Sequence, residues 1–481
     1  MEIQAQHLMA ILPELVVVGM ACVILVLDLY LKPEQRGITY GLTLLTLLGG
    51  AFLAVSGIPA QPQAVFYDHF MHDRMGSVLK AIILVVTALV MVYARRPLQR
   101  LDMYRGEFFL LILLAATGMM LMASAGSLLM AYLGLELMSL SLYTMIAMDR
   151  DSVPATEGGL KYFILGSLAS GVFLYGLSLL YGASGSLLIA EVSAHAAEVG
   201  MADPFLVMGV VFAAIGLAFK LGAVPFHMWI PDVYQGAPSP VTAVLASTPK
   251  LAAFALVMRI LVDGLGPLAE QWQEMAAALA ILSLIVGNVV AIAQDNIKRM
   301  LAYSAIAHVG YLLIGLAAAP VVSTGYMAPM MYMVMYTLMG GAAFGLIALM
   351  HKDGVGDKIS DYAGLSQTHP WKAFLLLILM FAMAGVPPTG GFMAKLYIFQ
   401  AAVEAGYVSL AVFGVLMAVI GAYYYLRIVK VIYFDSPQAE LRPDADALAG
   451  GVLSLNTLGV LALGIVPGPL VDLCLYAMEG V

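Results

Sequence analysis

Three lysines lie inside apolar segments, where a charged side chain is costly. Lys220 lies in the run GLAFKLGAVPF, Lys250 in VLASTPKLAAF and Lys395 in GGFMAKLYIF. An ammonium group at the centre of a bilayer costs about 2.5 to 3.5 kcal/mol on insertion scales. A lysine in a low dielectric can lose its proton near neutral pH, whereas arginine stays charged. The lysines are therefore candidates for proton exchange, and the alternative is that each forms a structural ion pair.

Glu136 is the only acidic residue in the apolar stretch LLMAYLGLELMSLSLY. An unpaired carboxylate there would be too costly, so it must either take a proton or find a lysine. If Lys220 lay about 4 Å away at an effective dielectric near 20, the attraction would be about 4 kcal/mol. The sequence therefore favours a Glu136–Lys220 pair that can hold or release a proton, with a buried neutral carboxyl as the alternative.

Two further titratable side chains could join such a path. His308 lies in MLAYSAIAHVGYLLIG, and imidazole changes its charge near neutral pH, so His308 could be an intermediate. Lys161 lies near the start of its helix, in ATEGGLKYFILGS, where a lysine can extend to the membrane surface. A hydrogen-bonded core histidine and an interfacial lysine are the alternatives. The run Tyr423–Tyr425 and the methionines are assigned to helix packing or to the membrane interface.

The composition requires these residues to be positioned by a membrane domain. The chain has 481 residues, of which 62% are hydrophobic and 11% charged, and its mean hydropathy is +0.95. These values predict an all-α polytopic membrane protein and give no support to nucleic-acid binding. The N-terminus lacks the positive region and cleavage site of a secretory signal, so the first apolar run should remain in the mature protein.

The sequence contains no motif for a resident cofactor. Cys22 and Cys474 lie at opposite ends of the chain and cannot form a CxxC metal site or hold an iron–sulfur cluster. There is no HExxH, no phosphate-binding GxxxxGK[ST], no dinucleotide-binding GxGxxG after a strand and no haem-type ligand pair. We therefore expect no metal and no redox centre in this chain.

Fourteen apolar runs are long enough to cross a bilayer, which takes about 20 residues. Their connections are too short for a second domain, so residues 1–481 should form a single membrane domain. The predicted spans are 8–31, 37–57, 75–94, 107–124, 127–148, 158–182, 204–230, 239–262, 274–294, 299–319, 324–350, 371–404, 407–434 and 449–478.

The basic residues in the connections predict the orientation. Alternate connections place nearly all of them on one side, and the other side has little beyond Arg74. By the positive-inside rule, both termini should lie on the periplasmic side or its equivalent. The residues expected inside are Lys32, Arg36, Arg95, Arg96, Arg100, Arg105, Arg150, Lys298, Arg299, Lys352, Lys358, Lys372, Lys430 and Arg442.

Two of the predicted spans contain a break beside a lysine. The seventh has Pro225 five residues after Lys220, and the twelfth has GVPPTGG just before Lys395. The breaks lie five helices apart, so helices 4–8 (107–262) and 9–13 (274–434) could be two copies of one unit. A unit with an odd number of helices must be inverted relative to its copy. The sequence therefore predicts two inverted five-helix repeats in which helices 7 and 12 are discontinuous.

Several long motifs have a family likeness. The runs AFKLGAVPFHMWIPDVYQGAPSPV, TPK, IKRMLAYSAIAHVGY and GVPPTGGFMAKLYIF closely resemble the antiporter-like membrane subunits of respiratory complex I. The resemblance covers essentially the whole chain. The long lateral helix of the largest such subunit does not follow the fourteenth span, which favours a smaller member. The largest members have HTWLP or HVWLP where this chain has HMWIPDVYQG, so detailed rules for that region do not transfer.

The resemblance implies a proton channel in the membrane arm of a bacterial NADH:quinone oxidoreductase, in the cell inner membrane. By matching motif, Glu136 and Lys220 would form the central pair, Lys250 the link and Lys395 the residue facing the outer exit. His308 would lie between the last two, and Lys161 would modulate Lys220. The resemblance also implies that NADH, FMN, iron–sulfur clusters and quinone are bound by partner subunits, and that neighbouring membrane-arm subunits and the lipid bilayer are the contacts of this chain.

Two other functions fit the same residues. The chain also resembles a subunit of a multi-subunit cation/proton antiporter, which has a similar fold and the same lysines. A structural spacer of a membrane arm would use buried ion pairs to fix the register of its helices. A separate transporter of an organic solute has less support, because the sequence offers no polar pocket beyond the lysines.

Overall fold

The architecture is helical, as the sequence predicts. A computed structural model describes residues 5–322, 324–351, 356–437 and 446–479. In these residues the only strands form one short antiparallel hairpin, β1 (Gln63–Val65) with β2 (Phe70–His72). The prediction of an all-α polytopic membrane protein is confirmed.

Twenty-one α-helices make up the described chain. They are α1 (Ala5–Ala10), α2 (Leu12–Asp28), α3 (Gly37–Ser56), α4 (Arg74–Arg100), α5 (Gly106–Ala123), α6 (Leu128–Ala147), α7 (Val153–Ser184), α8 (Ile189–Val199), α9 (Pro204–Leu221), α10 (Trp229–Gly236), α11 (Ser239–Leu245), α12 (Thr248–Val257), α13 (Ala269–Ile292), α14 (Ile297–Ala318), α15 (Met327–Met350), α16 (Leu365–Thr368), α17 (Pro370–Ala384), α18 (Gly390–Glu404), α19 (Val408–Phe434), α20 (Ala447–Ile465) and α21 (Gly468–Met478). A π-helical segment, Met258–Gly264, continues α12.

Several helices start at a polar side chain that caps their free N–H groups. The carboxylate of Asp73 accepts a hydrogen bond at the start of α4, and that of Asp203 does so at the start of α9. Ser127, Ser152 and Asn296 do the same for α6, α7 and α14. Such caps typically contribute about 1 kcal/mol each. They also explain why the predicted spans begin near these residues.

Twelve helical stretches in the described chain are long and apolar enough to cross a membrane. Two of the fourteen predicted spans are not among these twelve stretches. The span 8–31 is divided between α1 and α2, and the span 371–404 is divided between α17 and α18. The last predicted span, 449–478, contains α20 and the shorter α21. The count of fourteen crossings therefore stays a prediction.

Both predicted helix breaks are present, and they have the same geometry. Helix α9 ends at Gly222 (φ +86°), and α17 ends at Gly385 (φ +84°). The N–H of Gly222 donates to the carbonyl of Ala218 at 2.9 Å, and that of Gly385 donates to the carbonyl of Phe381 at 2.9 Å. Only glycine adopts such a positive φ without strain, which is why the helices stop there. The similarity is compatible with the predicted inverted repeat, which itself stays a prediction.

A third break was not predicted. The span 239–262 is interrupted between α11 and α12, and Lys250 therefore lies in the first turn of α12 and not near the middle of a helix. Pro249 explains the interruption, because it has no N–H and its ring would clash with the carbonyl of Leu245 in a continuous helix. The predicted span 239–262 is therefore not one continuous helix.

The helices that pack against the breaks include the most deeply buried ones. In the most apolar 18 residues of each stretch, the buried share is 100% for Ser239–Gly264, 89% for Ile297–Val321 and 94% for Met327–Met350. The same share is 33% for Val408–Phe434. Close approach depends on small residues. A Cβ added to Gly287 would lie 2.5 Å from the backbone nitrogen of Ala307, so α13 and α14 could not pack as they do with a larger side chain.

Some of the basic residues expected inside lie near one another at one end of the bundle. Arg100 on α4 donates to the carbonyl of His351 at 2.7 Å. His351 and Lys298 on α14 both lie near Asp357, at 3.5 and 4.0 Å. Arg74 lies at the opposite end of α4 from Arg100 and pairs with Glu479. Two of the residues used to assign the orientation, Lys352 and Arg442, lie outside the described residues. The direction of insertion stays a prediction.

Cysteine labelling can test this orientation. We expect an impermeant thiol reagent on intact cells to label Glu198→Cys in the 183–203 connection and to leave Arg96→Cys unlabelled, since the positive-inside rule places Arg96 in the cytoplasm. Both variants are made after Cys22 and Cys474 are replaced by alanine. Labelling of Arg96→Cys in permeabilised cells is the control. Its labelling in intact cells would show that the orientation is the reverse of the predicted one.

Candidate functional site

Lys220 is buried in the last turn of α9, and its nearest polar partner is a serine. Its Nζ donates to the Ser139 Oγ at 2.6 Å, and the side chain is 8% exposed. The rings of Tyr143 and Tyr162 lie 5.9 and 5.6 Å from the same nitrogen. The ammonium is therefore held by one hydroxyl and the faces of two aromatic rings.

Glu136 lies beside this lysine but does not form an ion pair with it. It is partly buried on α6, where the Ser170 hydroxyl donates to its carboxylate and also contacts the Tyr132 hydroxyl at 3.3 Å. Within the described residues, no oxygen of Glu136 lies within 4.0 Å of the Lys220 ammonium. The expected direct pair is therefore absent. Glu136 and Ser139 are three residues apart on one helix face, so Ser139 takes the position next to Lys220.

Lys250 lies deeper than Lys220. Its side chain is 2% exposed, and its Nζ donates to the backbone carbonyl of Ala305 at 3.4 Å. The ring of Tyr336 lies 5.3 Å from the ammonium. A carbonyl dipole and an aromatic face thus take the place of a counter-ion.

His308 lies between two tyrosine hydroxyls. Its Nδ1 is 2.6 Å from the Tyr332 hydroxyl, and its Nε2 is 3.2 Å from the Tyr425 hydroxyl. The ring is 3% exposed, and its centre is 5.0 Å from the centre of the Tyr336 ring. Tyr336 therefore contacts both the Lys250 ammonium and the His308 ring.

Lys395 binds the backbone carbonyls that the second break leaves free. Its Nζ donates to the carbonyls of Met383 at 3.1 Å and Ala384 at 2.8 Å, at the C-terminal end of α17. A helix C-terminus carries partial negative charge, which favours a cation there. The ring of Tyr311 lies 4.6 Å from the ammonium and 6.3 Å from the His308 ring. This tyrosine joins the histidine to the lysine.

Lys161 lies apart from the buried lysines. Its side chain is 43% exposed, and it pairs with Glu157 at 2.7 Å and Asp232 at 2.8 Å. Burial acts to raise the pKa of Asp232, but hydrogen bonds from Lys161 and Arg299 outweigh it and hold the pKa below its usual range. The described contacts do not join Lys161 to Lys220. The adjacent Tyr162 is the residue that reaches Lys220.

The six candidate residues thus form three groups. Lys250, His308 and Lys395 are linked through the rings of Tyr336 and Tyr311. Glu136 and Lys220 form a second group around serine hydroxyls, and Lys161 belongs to a surface network. No described contact joins the Lys220 group directly to Lys250.

Sequence reasoning missed the hydroxyl groups. Ser139 and Ser170 replace a direct ion pair, and Tyr332, Tyr336 and Tyr425 surround His308. A signal was available for some of them, because Tyr332 and Tyr336 are four residues apart and so share one helix face. The sequence assigns the run Tyr423–Tyr425 to helix packing or to the membrane interface, but Tyr425 contacts His308. Tyr423 is exposed.

The described residues contain no cluster of three or more His, Cys, Asp or Glu side chains that could hold a metal ion. The buried polar groups of the site are instead ammonium, imidazole and hydroxyl groups. Each can accept or donate a proton or orient a group that does. The chemistry available to this arrangement is proton exchange.

Residues 125–421 match the family model described as NADH:quinone oxidoreductase/Mrp antiporter, TM. NADH-quinone oxidoreductase subunit N of Acidithiobacillus ferrooxidans is 52% identical over 476 residues, covering 98% of each chain. A chain of respiratory complex I from Thermus thermophilus, solved with bound aureothin, has a TM-score of 0.82 and 31% identity, covering 96% of this chain and 98% of that one. A chain of the Mrp complex from a Dietzia species has a TM-score of 0.84 at 20% identity, covering 99% and 97%, and shows the shared fold. The chain therefore belongs to the antiporter-like membrane subunits of NADH:quinone oxidoreductase, in the subunit N family.

Proposed function

We propose that this chain moves protons across the bacterial inner membrane, as part of the membrane arm of an NADH:quinone oxidoreductase. The observation that carries the proposal is that three buried lysines have no counter-ion. In the described residues no carboxylate oxygen lies within 4.0 Å of the ammonium of Lys220, Lys250 or Lys395. Their polar partners are a hydroxyl and backbone carbonyls.

Other buried cations of the chain are paired, which makes the contrast informative. Lys80 lies 2.5 Å from Glu14, and Arg259 lies 2.7 Å from Asp73. A buried charge without a partner is strongly unfavourable, so a lysine in that position gives up its proton more readily than a paired one. A structural spacer would need paired lysines. The unpaired lysines therefore favour a proton relay.

Each candidate residue has a distinct part in this proposal. The charge of Glu136 favours the protonated form of Lys220, and Ser139 holds the ammonium in place. Lys250 receives the proton, His308 passes it on, and Lys395 holds it at the second break before release. Lys161, Glu157 and Asp232 form a polar surface near the start of α7. This surface modulates Lys220 through Tyr162, the residue next to Lys161 whose ring contacts the Lys220 ammonium.

The two breaks would form the centres of two half-channels. Under this proposal, residues 107–262 and 274–434 are inverted repeats, and each contributes one broken helix with its lysine. The matching glycine ends of α9 and α17 support this division. Both termini would lie in the periplasm.

The energy for transport must come from partner subunits. We infer that NADH, FMN, iron–sulfur clusters and quinone bind in those subunits, in keeping with the printed name of the relatives. This chain would contribute to the oxidoreductase as a translocase, driven by charge and conformational changes at its contacts with neighbours.

A cation/proton antiporter subunit is the second candidate, since the Mrp complex chain has the same fold. Purification distinguishes the two. We expect this chain to copurify with subunits that contain flavin and iron–sulfur clusters, whereas an antiporter complex would lack both. Sodium transport without NADH oxidation would support the antiporter.

Glu136→Gln tests the role of the carboxylate. Glutamine keeps the shape and can still accept the Ser170 hydrogen bond, but it has no charge with which to stabilise the Lys220 ammonium. We expect a marked loss of NADH-driven proton translocation in proteoliposomes, with the complex assembled. Glu270→Gln, at an exposed position in the first turn of α13, is the control. Full pumping by assembled Glu136→Gln would remove this residue from the relay.

A further inference from the structure

The His308 ring is fixed by hydroxyl groups from two other helices. Tyr332 lies on α15 and Tyr425 on α19, and their hydroxyls lie 2.6 Å from Nδ1 and 3.2 Å from Nε2 respectively. The Tyr425 hydroxyl also hydrogen-bonds to Ser304, which lies four residues before His308 on α14. These four residues form one chain of hydrogen-bonding groups in the interior of the bundle.

The chemistry of imidazole restricts how this chain can be arranged. A neutral imidazole has one N–H donor and one bare nitrogen acceptor. One tyrosine must therefore donate to the ring while the other accepts from it. Since each hydroxyl has one proton, the orientation of Tyr425 also decides whether Ser304 donates to it or accepts from it.

Two arrangements satisfy these limits. In the first, Tyr332 donates to Nδ1, the Nε2–H donates to Tyr425, and Tyr425 donates to Ser304. In the second, Ser304 donates to Tyr425, Tyr425 donates to Nε2, and the Nδ1–H donates to Tyr332. The two differ in the tautomer of His308 and in the direction of every hydrogen bond.

We propose that Tyr332 and Tyr425 hold the His308 ring and exchange protons with it, so that a proton taken at one ring nitrogen leaves from the other. The inference rests on the proposed function and adds residues to it. The Tyr332 and Tyr425 rings are both almost fully buried. Their hydroxyls therefore need hydrogen-bond partners within the protein, since they are out of reach of water at the surface. Lys250 and Lys395 face the same cluster through Tyr336 and Tyr311.

The proton balance of this step is closed. A proton reaching the Tyr332 hydroxyl is passed to the bare Nδ1, and the ring becomes an imidazolium with an N–H on each side. The Nε2 proton then moves to the Tyr425 oxygen, the original Tyr425 proton moves to the Ser304 oxygen, and Ser304 gives up its own hydroxyl proton to the next acceptor on the path to Lys395, so that each hydroxyl again has one proton. The ring ends neutral in the opposite tautomer, with one proton gained at one end and one released at the other.

Removal of either hydroxyl should interrupt the step. We expect Tyr332→Phe and Tyr425→Phe each to lower proton flux per NADH oxidised about a hundredfold or more, the lower end of the range for a lost proton-transfer partner. The double variant should have the same proton flux as the single variants, because each substitution breaks the same hydrogen-bonded path. Tyr93→Phe is the control, since Tyr93 is also buried and its hydroxyl has a separate partner, Asn456, at 3.0 Å.

Nitrogen NMR of histidine-labelled complex gives a signature that packing alone would not produce. In Tyr332→Phe the Nδ1 loses its partner, so the ring should adopt the Nε2–H tautomer and donate to Tyr425. In Tyr425→Phe the Nε2 loses its partner, so the ring should adopt the Nδ1–H tautomer. The difference from the His308→Gln spectrum identifies this ring. The same tautomer mixture in both variants would overturn the proposal.

The remaining outcomes are also decisive. Full pumping by both tyrosine variants, when His308→Gln does not pump, would overturn this inference and leave the proposed function intact. Full pumping by His308→Gln would remove His308 from the relay and the tyrosine inference with it. If a phenylalanine variant does not assemble, 3-fluorotyrosine at the same position keeps ring and hydroxyl but changes the hydroxyl's acidity. An unchanged flux at both positions would then contradict the proposal.

Discussion

Replacement of Lys395 by methionine should abolish proton translocation and also weaken the second helix break. Methionine keeps the apolar stem but has no group that can donate to the carbonyls of Met383 and Ala384, which accept from the lysine at 3.1 and 2.8 Å. A buried carbonyl left without a donor costs about 1 to 3 kcal/mol. We therefore expect less assembled complex on native electrophoresis, a lower thermal midpoint and no NADH-driven acidification.

Two variants separate the structural effect from the effect on transport. Lys395→Arg should keep donors for both carbonyls and restore assembly, but it cannot release its proton, so translocation should remain absent. Lys430→Met removes an exposed lysine that pairs with Asp435 and should have no effect. Wild-type pumping by Lys395→Met would exclude Lys395 from the path.

The sequence was informative where a single residue is unusual for its surroundings. Lys220, Lys250 and Lys395 stand out because a cation in an apolar run is costly, and the breaks beside Lys220 and Lys395 follow from glycine and proline. These features are local, and the structure buries all three lysines and has both breaks. The third break, at Pro249, has the same kind of signal, but the run 239–262 is apolar and long enough to predict one continuous span.

The sequence could not specify which groups meet across helices. Lys220 contacts Ser139, and Glu136 contacts Ser170, because α6, α7 and α9 pack at a particular rotation, and no local pattern encodes that rotation. The hydroxyls of Tyr332 and Tyr425 reach His308 from helices far apart in the chain. Such contacts depend on tertiary packing, so a tyrosine in the relay looks the same in sequence as one that only packs.

The pairing state of a buried lysine is another property that sequence leaves open. Lys80 and Lys220 both lie in apolar segments, yet Lys80 lies 2.5 Å from Glu14, whereas Lys220 has a serine as its partner. The carboxylate that pairs with Lys80 comes from α2, more than sixty positions earlier in the chain. This difference separates a structural cation from a candidate proton carrier, and only the folded arrangement reveals it.

Lys220→Arg should assemble normally and fail to pump. Arginine can still donate to Ser139, and its planar guanidinium can pack on the rings of Tyr143 and Tyr162. Its pKa in water, above about 12, keeps it charged, so it can hold the site but cannot pass a proton on. Lys220→Ala should lose both the charge and translocation. If the chain is only a structural spacer, Lys220→Arg should translocate protons at close to the wild-type level, because the arginine keeps the charge and the contacts of the lysine.

Proton translocation by purified Lys220→Arg complex in proteoliposomes is the most direct test of a lysine relay. The acidification of the lumen is measured per NADH oxidised, with a blot for the assembled complex in the same sample. The relay predicts assembled complex with acidification close to that of uncoupled vesicles. Wild-type acidification by fully assembled Lys220→Arg complex would contradict it.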